Sequence, residues 1–279
     1  MIDEASLDLA ALERNVWHLR EQYKTADPFP HVVLDDFLDR DVLRDATSEF
    51  PSVDGDAWTN YLHVNERKYG NTHSETWGPT LQRVAADLTS ARFVRFLSDL
   101  TGIAGLQADP TMDGGGLHQT FRDGYLNVHA DFTSHHIHRN WRRRVNLLLY
   151  CNDDWQPEYG GDLELWSTDM KRRVHSISPI GNRVVIFNTD VDSYHGVPEP
   201  LTCPHGVARQ SMALYYFTEE AAPPLSRSTN YRARPGDGAK GVLIYLDKKA
   251  LRAYDLIKRR LGLSDDTVSK LLKKLRRRR

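Results

Sequence analysis

The sequence predicts a mostly β protein, a jelly roll of about eight strands flanked by helical segments at both ends. Three observations predict it. First, short stretches of alternating apolar and polar residues, separated by turn residues, recur at 117–121, 124–130, 143–151, 162–166, 173–177, 183–188 and 207–217. Second, before and after them the apolar residues fall at helical spacing. Third, the stretch 124–131 ends in His129-Ala-Asp131, which on a strand puts an imidazole and a carboxylate on one face.

From the N-terminus, Ser6 is placed to cap a helix running to about Tyr23, with Leu7, Leu9, Leu12, Val16 and Leu19 on its apolar side. Pro28-Phe-Pro30 breaks the chain, His31 to Leu38 reads as a strand, and a further helix runs from Asp39 toward Phe50. Residues 51–78 are polar with scattered aromatics, and fit either a long surface loop or a lid over a site. Pro79 to Leu100 carries one or two helices ending at Thr101-Gly102. After Gly114-Gly-Gly116 the strands begin, and from Asp247 the leucines return to helical spacing. The divisions implied are an N-terminal helical and strand region over 1–112, a β core over 113–222 and a basic helical extension over 223–279.

Composition bounds the chain broadly. Of 279 residues, 40% are hydrophobic and 27% charged, ordinary for a globular protein. No apolar run reaches the roughly 18–20 residues that span a bilayer. The acidic N-terminus lacks an apolar signal core, and two cysteines, Cys151 and Cys203, imply no disulfide framework, so a reducing, cytoplasmic setting is expected. Residues 248–279 hold 13 Lys and Arg against 3 Asp, leaving 24 basic and 35 acidic residues elsewhere. A basic tail on an acidic body fits recruitment of an acidic partner, or a solvated helix face.

His129 and Asp131 can grip one metal ion. A second imidazole would complete one face of an octahedron and leave three positions open, the two-His-one-carboxylate set of non-haem Fe(II) oxygenases. Spacing alone is weak, since His73-Ser-Glu75 shares it within a polar stretch that reads as loop. The strands C-terminal to His129 and Asp131 set that pair apart. Strand 143–151 carries Arg144, Asn146, Leu148 and Tyr150 on one face, suiting either a cavity wall or an edge strand with one wet face. Asn182 to Phe187 leads through a polar loop to His195, the expected second imidazole. Arg209 and Ser211 share a face of an otherwise apolar strand. A cation there needs a partner, and its fork suits a carboxylate from outside the chain, or else a distant Asp or Glu.

Taken in order, several motifs resemble the Fe(II)/2-oxoglutarate-dependent dioxygenases, in particular their prolyl-4-hydroxylase-like branch. They are Pro28-Phe-Pro30, Asp36-Phe-Leu38, Gly114-Gly-Gly-Leu-His-Gln119, His129-Ala-Asp131, Arg144 to Tyr150, Gly160-Gly-Asp-Leu163, Asn182-Arg183, His195-Gly-Val197 and Arg209-Gln-Ser211. The resemblance implies a double-stranded β-helix (a cupin-like jelly roll) with N-terminal and C-terminal helices. It implies iron on His129, Asp131 and His195. It also implies 2-oxoglutarate with its distal carboxylate on Arg209, helped by Tyr150 and the neighbouring Ser211. O2 would be co-substrate and ascorbate a supporting reductant. An unactivated C–H bond would be hydroxylated with release of succinate and CO2, on a small-molecule, sugar-like, amino-acid-like or peptidyl proline substrate.

Phe121 stands where many relatives have a tyrosine, which removes one hydroxyl contact to the co-substrate. His118, Arg142, Arg144 and Asn146 are candidate substrate contacts. The segment 132–144, with four Arg and three His, either closes over an anionic substrate or is a solvated loop. His135, His136 and His138 are not expected to form a metal cluster. Two other readings stand beside this one. One is a cupin-like metalloenzyme without 2-oxoglutarate, against which Arg209 argues. The other is a metal-stabilised binding module whose basic tail recruits a partner.

Overall fold

The structure, a computed structural model, describes residues 5–225 and 227–247. The basic stretch 248–279, with its leucine stripe and charge run, lies outside the described residues. The first helical segment is two helices, α1 (Leu9–Arg14) and α2 (Val16–Thr25). Asp8, not Ser6, caps it, accepting from the Ala11 amide at 2.9 Å. Ser6 lies ahead of the helix, its amide donating to Asp87 Oδ2 and its carbonyl accepting from the Asp39 amide. Asn15 interrupts the run, its side-chain amide donating to the Ala11 carbonyl.

The chain continues through β1 (His31–Leu34) and α3 (Arg40–Ser48). Residues 51–78 are neither plain loop nor detached lid. They form a hairpin, β2 (Thr59–His63) and β3 (Glu66–Asn71), followed by a single 3-10 turn. Helices α4 (Pro79–Thr89) and α5 (Ala91–Thr101) meet at Ser90, which ends the first and caps the second by accepting from the Phe93 amide. Gly102, at φ 74°, terminates α5 in the left-handed conformation glycine tolerates. The remaining strands are β4 (Leu106–Ala108), β5 (Gly116–Thr120), β6 (Tyr125–Ala130), β7 (Trp141–Tyr150), β8 (Leu163–Trp166), β9 (Arg173–Ile177), β10 (Val184–Asn188), β11 (His195–Val197), β12 (Arg209–Glu219) and β13 (Asn230–Tyr231). Residues 238–247 are helical. No helix among the described residues is long and apolar enough to cross a membrane.

Every strand pair is antiparallel, and the path runs β1-β10-β7-β12-β5-β3-β6-β11-β8-β9, with β2, β4 and β13 attached at its sides. The path curls until its ends approach: His31 on β1 and His175 on β9 have ring centroids 5.1 Å apart. This is the expected double-stranded β-helix. Strand β3 lies between β5 and β6, joining the two halves of the curl.

Alternation along the strands decides what faces where. Val145, Leu147 and Leu149 of β7, Val184 and Ile186 of β10, and Met212, Leu214 and Tyr216 of β12 pack outward onto Leu81, Val84, Leu88, Phe96, Leu97 and Leu100 of the helices. The opposite faces, with Tyr150, Val185 and Phe187, turn into the curl beside Leu163 and Leu165. The layering follows from period-two strands meeting period-3.6 helices.

Candidate metal centre

His129 lies near the end of β6, Asp131 just beyond it, and His195 opens β11, which pairs His195 directly with His129. All three are buried, and one donor atom from each lies within 4.8 Å of the others, the only such group among the described residues. Asp131 Oδ1 is 3.4 Å from His129 Nε2, and Oδ2 is 3.5 Å from His195 Nε2. Each imidazole is oriented by its own backbone: His129 Nδ1 donates to the Asn127 carbonyl and His195 Nδ1 to the Ser193 carbonyl, both at 2.9 Å. A carbonyl can only accept, so the proton sits on Nδ1 and the Nε2 lone pair faces Asp131. Burial pushes His195 down to about 4, against the pull of the Asp131 charge, so it is neutral near pH 7. Burial alone would raise the Asp131 carboxyl, but the Arg143 charge beside it leads the neighbours that hold it well below its ordinary value. Two imidazole nitrogens and one carboxylate converging without intervening donors are a donor set that fits Fe(II).

Behind the triad, Asp131 Oδ2 accepts from Asn146 Nδ2 at 2.7 Å and stands 3.1 Å from Arg143 Nη2. Asn146 thus faces the interior but supports a ligand. Arg144, expected on the same face, is not there. Between Val145 and Arg143 the pairing with β12 slips, Tyr216 opposing Val145 and Phe217 opposing Arg143. The bulge reverses the alternation, delivering Arg143 to the interior and sending Arg144 toward Thr218 Oγ1 at 3.4 Å. Arg142 is also outside, 3.6 Å from Asp190 and substantially exposed.

Deeper in the curl, Arg209 is buried on β12. Its Nε donates to the Gly161 carbonyl at 2.8 Å, its Nη2 to the Tyr150 hydroxyl at 3.2 Å, and its guanidinium lies over the Tyr150 ring. Gly161, at φ 82°, gives it room, since a Cβ there would stand 3.0 Å from Arg209 Cδ. Among the described residues no carboxylate lies within ion-pair distance of Arg209. Ser211 is buried one strand period on and opposes both Tyr150 and His118. Burial and then the charges of Lys68, Arg209 and Arg143, opposed by Glu66, push His118 well below its ordinary value, which places it among these groups. Phe121 packs edge-on against Tyr69 of the hairpin.

Sequence reasoning missed three contributors. Arg143 was hidden by the bulge; three consecutive arginines were the signal that parity there was open. Tyr231 of β13 pairs with His129 in the sheet, its ring centroid 5.5 Å from that imidazole. Its hydroxyl donates to Glu66 Oε1 at 3.4 Å, and Glu66 also accepts from His63 at 2.8 Å and faces Lys68 at 3.4 Å. Burial alone would raise the Glu66 carboxyl; the His63 hydrogen bond and the Lys68 charge outweigh it and hold it at about 2.

A folded value below the ordinary 4.5 means ionised Glu66 stabilises the fold above that pH, and the contribution is lost as pH falls toward 2. Glu66→Gln is expected to lower the melting temperature at about pH 6 and to approach wild type only as pH falls to about 2. A gap that stays constant across that range would show that its charge is not what Glu66 contributes.

The loop after Asp131 is tied down. His135 is buried, accepts at Nδ1 from the amides of Ile137 and His138, and puts Nε2 3.2 Å from Asp109, while His136 bonds Asp113. His138 stacks on Trp141.

Residues 115–217 match the family described as the 2OG-Fe(II) oxygenase superfamily. The chain is 27% identical over 214 residues to prolyl 3-hydroxylase OGFOD1 of Mus musculus, a match covering 75% of this chain and 36% of that protein. It therefore spans about a third of the curated relative. Among solved structures it is similar to a Trichoplax adhaerens prolyl hydroxylase in complex with a hypoxia inducible factor oxygen degradation domain peptide fragment. That likeness has a TM-score of 0.55 at 18% identity, covering 77% of this chain and 94% of that one, and it concerns the fold.

Proposed function

We propose, from the match of residues 115–217 to the 2OG-Fe(II) oxygenase superfamily, that the chain hydroxylates a peptidyl prolyl residue with Arg209 anchoring 2-oxoglutarate. The observation that carries the co-substrate assignment is Arg209 itself: a buried guanidinium whose partners are a carbonyl, a phenol and a ring face, with its charge unmatched among the described residues. A dicarboxylate supplies the missing anion. What supports the prolyl substrate is similarity in sequence to a protein named for that activity.

His129, Asp131 and His195 would hold Fe(II), which with 2-oxoglutarate and O2 would supply the oxidising chemistry that replaces a C–H hydrogen by hydroxyl, with succinate and CO2 as co-products. The chain contributes binding, orientation and exclusion of water. Asn127 and Ser193 carbonyls keep both imidazoles in the metal-binding tautomer. Arg209, with the Tyr150 hydroxyl beside it and Ser211 on the same face, holds the distal carboxylate. Tyr150 burial raises its hydroxyl above the ordinary phenol value despite the Arg209 charge, so it remains a donor. Phe187, edge-on to His195, and Tyr231 against His129 close the apolar surround.

The test is succinate release from 2-oxoglutarate with Fe(II), ascorbate and prolyl peptides. Arg209→Met is expected to raise the KM for 2-oxoglutarate about 10- to 150-fold, the equivalent of roughly 1.5–3 kcal/mol of charge-assisted bonding. An unchanged KM would remove Arg209 from co-substrate binding.

A further inference from the structure

We propose that Arg143 is a positioning residue for the metal, locking the Asp131 carboxylate so that it offers the ion one oxygen. This rests on the triad binding a metal and not on the use of 2-oxoglutarate.

Arg143 is the largest fully buried side chain among the described residues, 2% exposed. A guanidinium is left inside only where its donors are satisfied, and its ion pair with Asp131 and its hydrogen bond to Asn146 both bear on one ligand. Nε donates to Asn146 Oδ1 at 2.8 Å, and Nη2 lies 3.1 Å from Asp131 Oδ2. The plane is held between two rings, 3.3 Å from the Tyr215 centroid and 4.5 Å from that of Phe132. Asn146 closes the triangle by donating Nδ2 to the same Oδ2. Its amide has only one workable orientation, because Oδ1 receives both Arg143 Nε and the Thr189 hydroxyl.

The consequence is directional. Oδ2 accepts from Asn146 Nδ2 and stands 3.1 Å from Arg143 Nη2, with His195 Nε2 at 3.5 Å. Oδ1 receives neither and faces His129 Nε2. A carboxylate held at Oδ2 by the Asn146 amide and facing a guanidinium there leaves Oδ1 as the freer oxygen. A lysine is not equivalent, since a single ammonium reaches Asp131 without also fixing Asn146. The bulge in β7 brings this about: regular alternation would have placed Arg144 on this face and Arg143 among the helices.

The probe is Co(II) alone, added to the full-length chain without 2-oxoglutarate. Affinity is read by chelator competition and coordination by the visible absorption of the bound ion. Arg143→Gln and Arg143→Lys are expected to lower Co(II) affinity about 10- to 100-fold, Lys the less because it keeps the charge, and both to shift the visible bands. Melting of the metal-free proteins is measured alongside. If the variants melt lower but bind Co(II) with wild-type affinity and spectrum, Arg143 is a packing residue and the proposal is overturned. If Arg143→Gln does not fold, Arg143→Lys decides by the same two readouts. Failure of wild type to bind Co(II) would overturn the triad assignment and this proposal together, whereas Co(II) binding without succinate release would remove only the proposed function.

Discussion

Asp131→Ala is expected to abolish succinate release and metal binding, and to lower the melting temperature well beyond what Asp131→Asn does. Both substitutions remove the charged ligand. They differ in what they do to Arg143, buried with its Nη2 3.1 Å from Oδ2. Alanine leaves that cation without a counter-charge or an acceptor, and breaking a buried pair from one side costs about 3–5 kcal/mol. Asparagine keeps an oxygen for Arg143 and Asn146 while discarding the charge. For a chain of this size about 1 kcal/mol corresponds to roughly 2–4 °C, so the Ala variant should melt on the order of 10 °C below wild type, with Asn between. Retention of wild-type Co(II) affinity by the Ala variant would refute the triad. Equal melting of the two variants would show that the pair contributes little to the fold.

The second large effect concerns the segment C-terminal to the barrel core. A chain ending at residue 222 is expected to lose soluble folded protein or to melt many degrees lower, with metal affinity reduced. That cut removes β13, and with it the Arg232 amide donating to the Val128 carbonyl and the Tyr231 ring packed on His129. It also removes the Arg227 carbonyl that receives the Thr133 amide, two residues beyond Asp131, and the Arg234 ion pairs with Glu199 and Asp237. Tyr231→Ala isolates the ring: deletion of a large buried aromatic costs about 3–5 kcal/mol, and His129 loses one wall. Wild-type melting and Co(II) binding in a chain ending at 222 would show that the segment is dispensable to the site.

Much of this was legible in the sequence, for reasons tied to particular residues. His129 and Asp131 could be read because a strand's period is two and the pair sits where β6 ends. The β7, β10 and β12 alternations were readable because helices cover one face and the curl encloses the other. Ser90 and Gly102 punctuate α4 and α5 through side-chain and backbone chemistry that is local. What could not be read is non-local. Strand β11 is three residues after a polar loop, and it exists because His195 pairs with both β6 and β8. Strand β13 is two residues long for the same reason. The β2–β3 hairpin looked like loop because its polar residues are matched by one another, as Glu66 is by His63 and Lys68. The exchange of Arg143 for Arg144 depends on a slip of pairing that neither strand announces alone.

The insertion of β3 between β5 and β6 bears on how far the hairpin can move. Its residues are registered on both neighbours, Gly70 opposite His118 on one side and Glu66 opposite Leu126 on the other. A flap hung on two flexible hinges can swing; a stave fitted into a cask cannot move without splitting the wood on either side. The wall on which Gly70 faces His118 is therefore held from both sides.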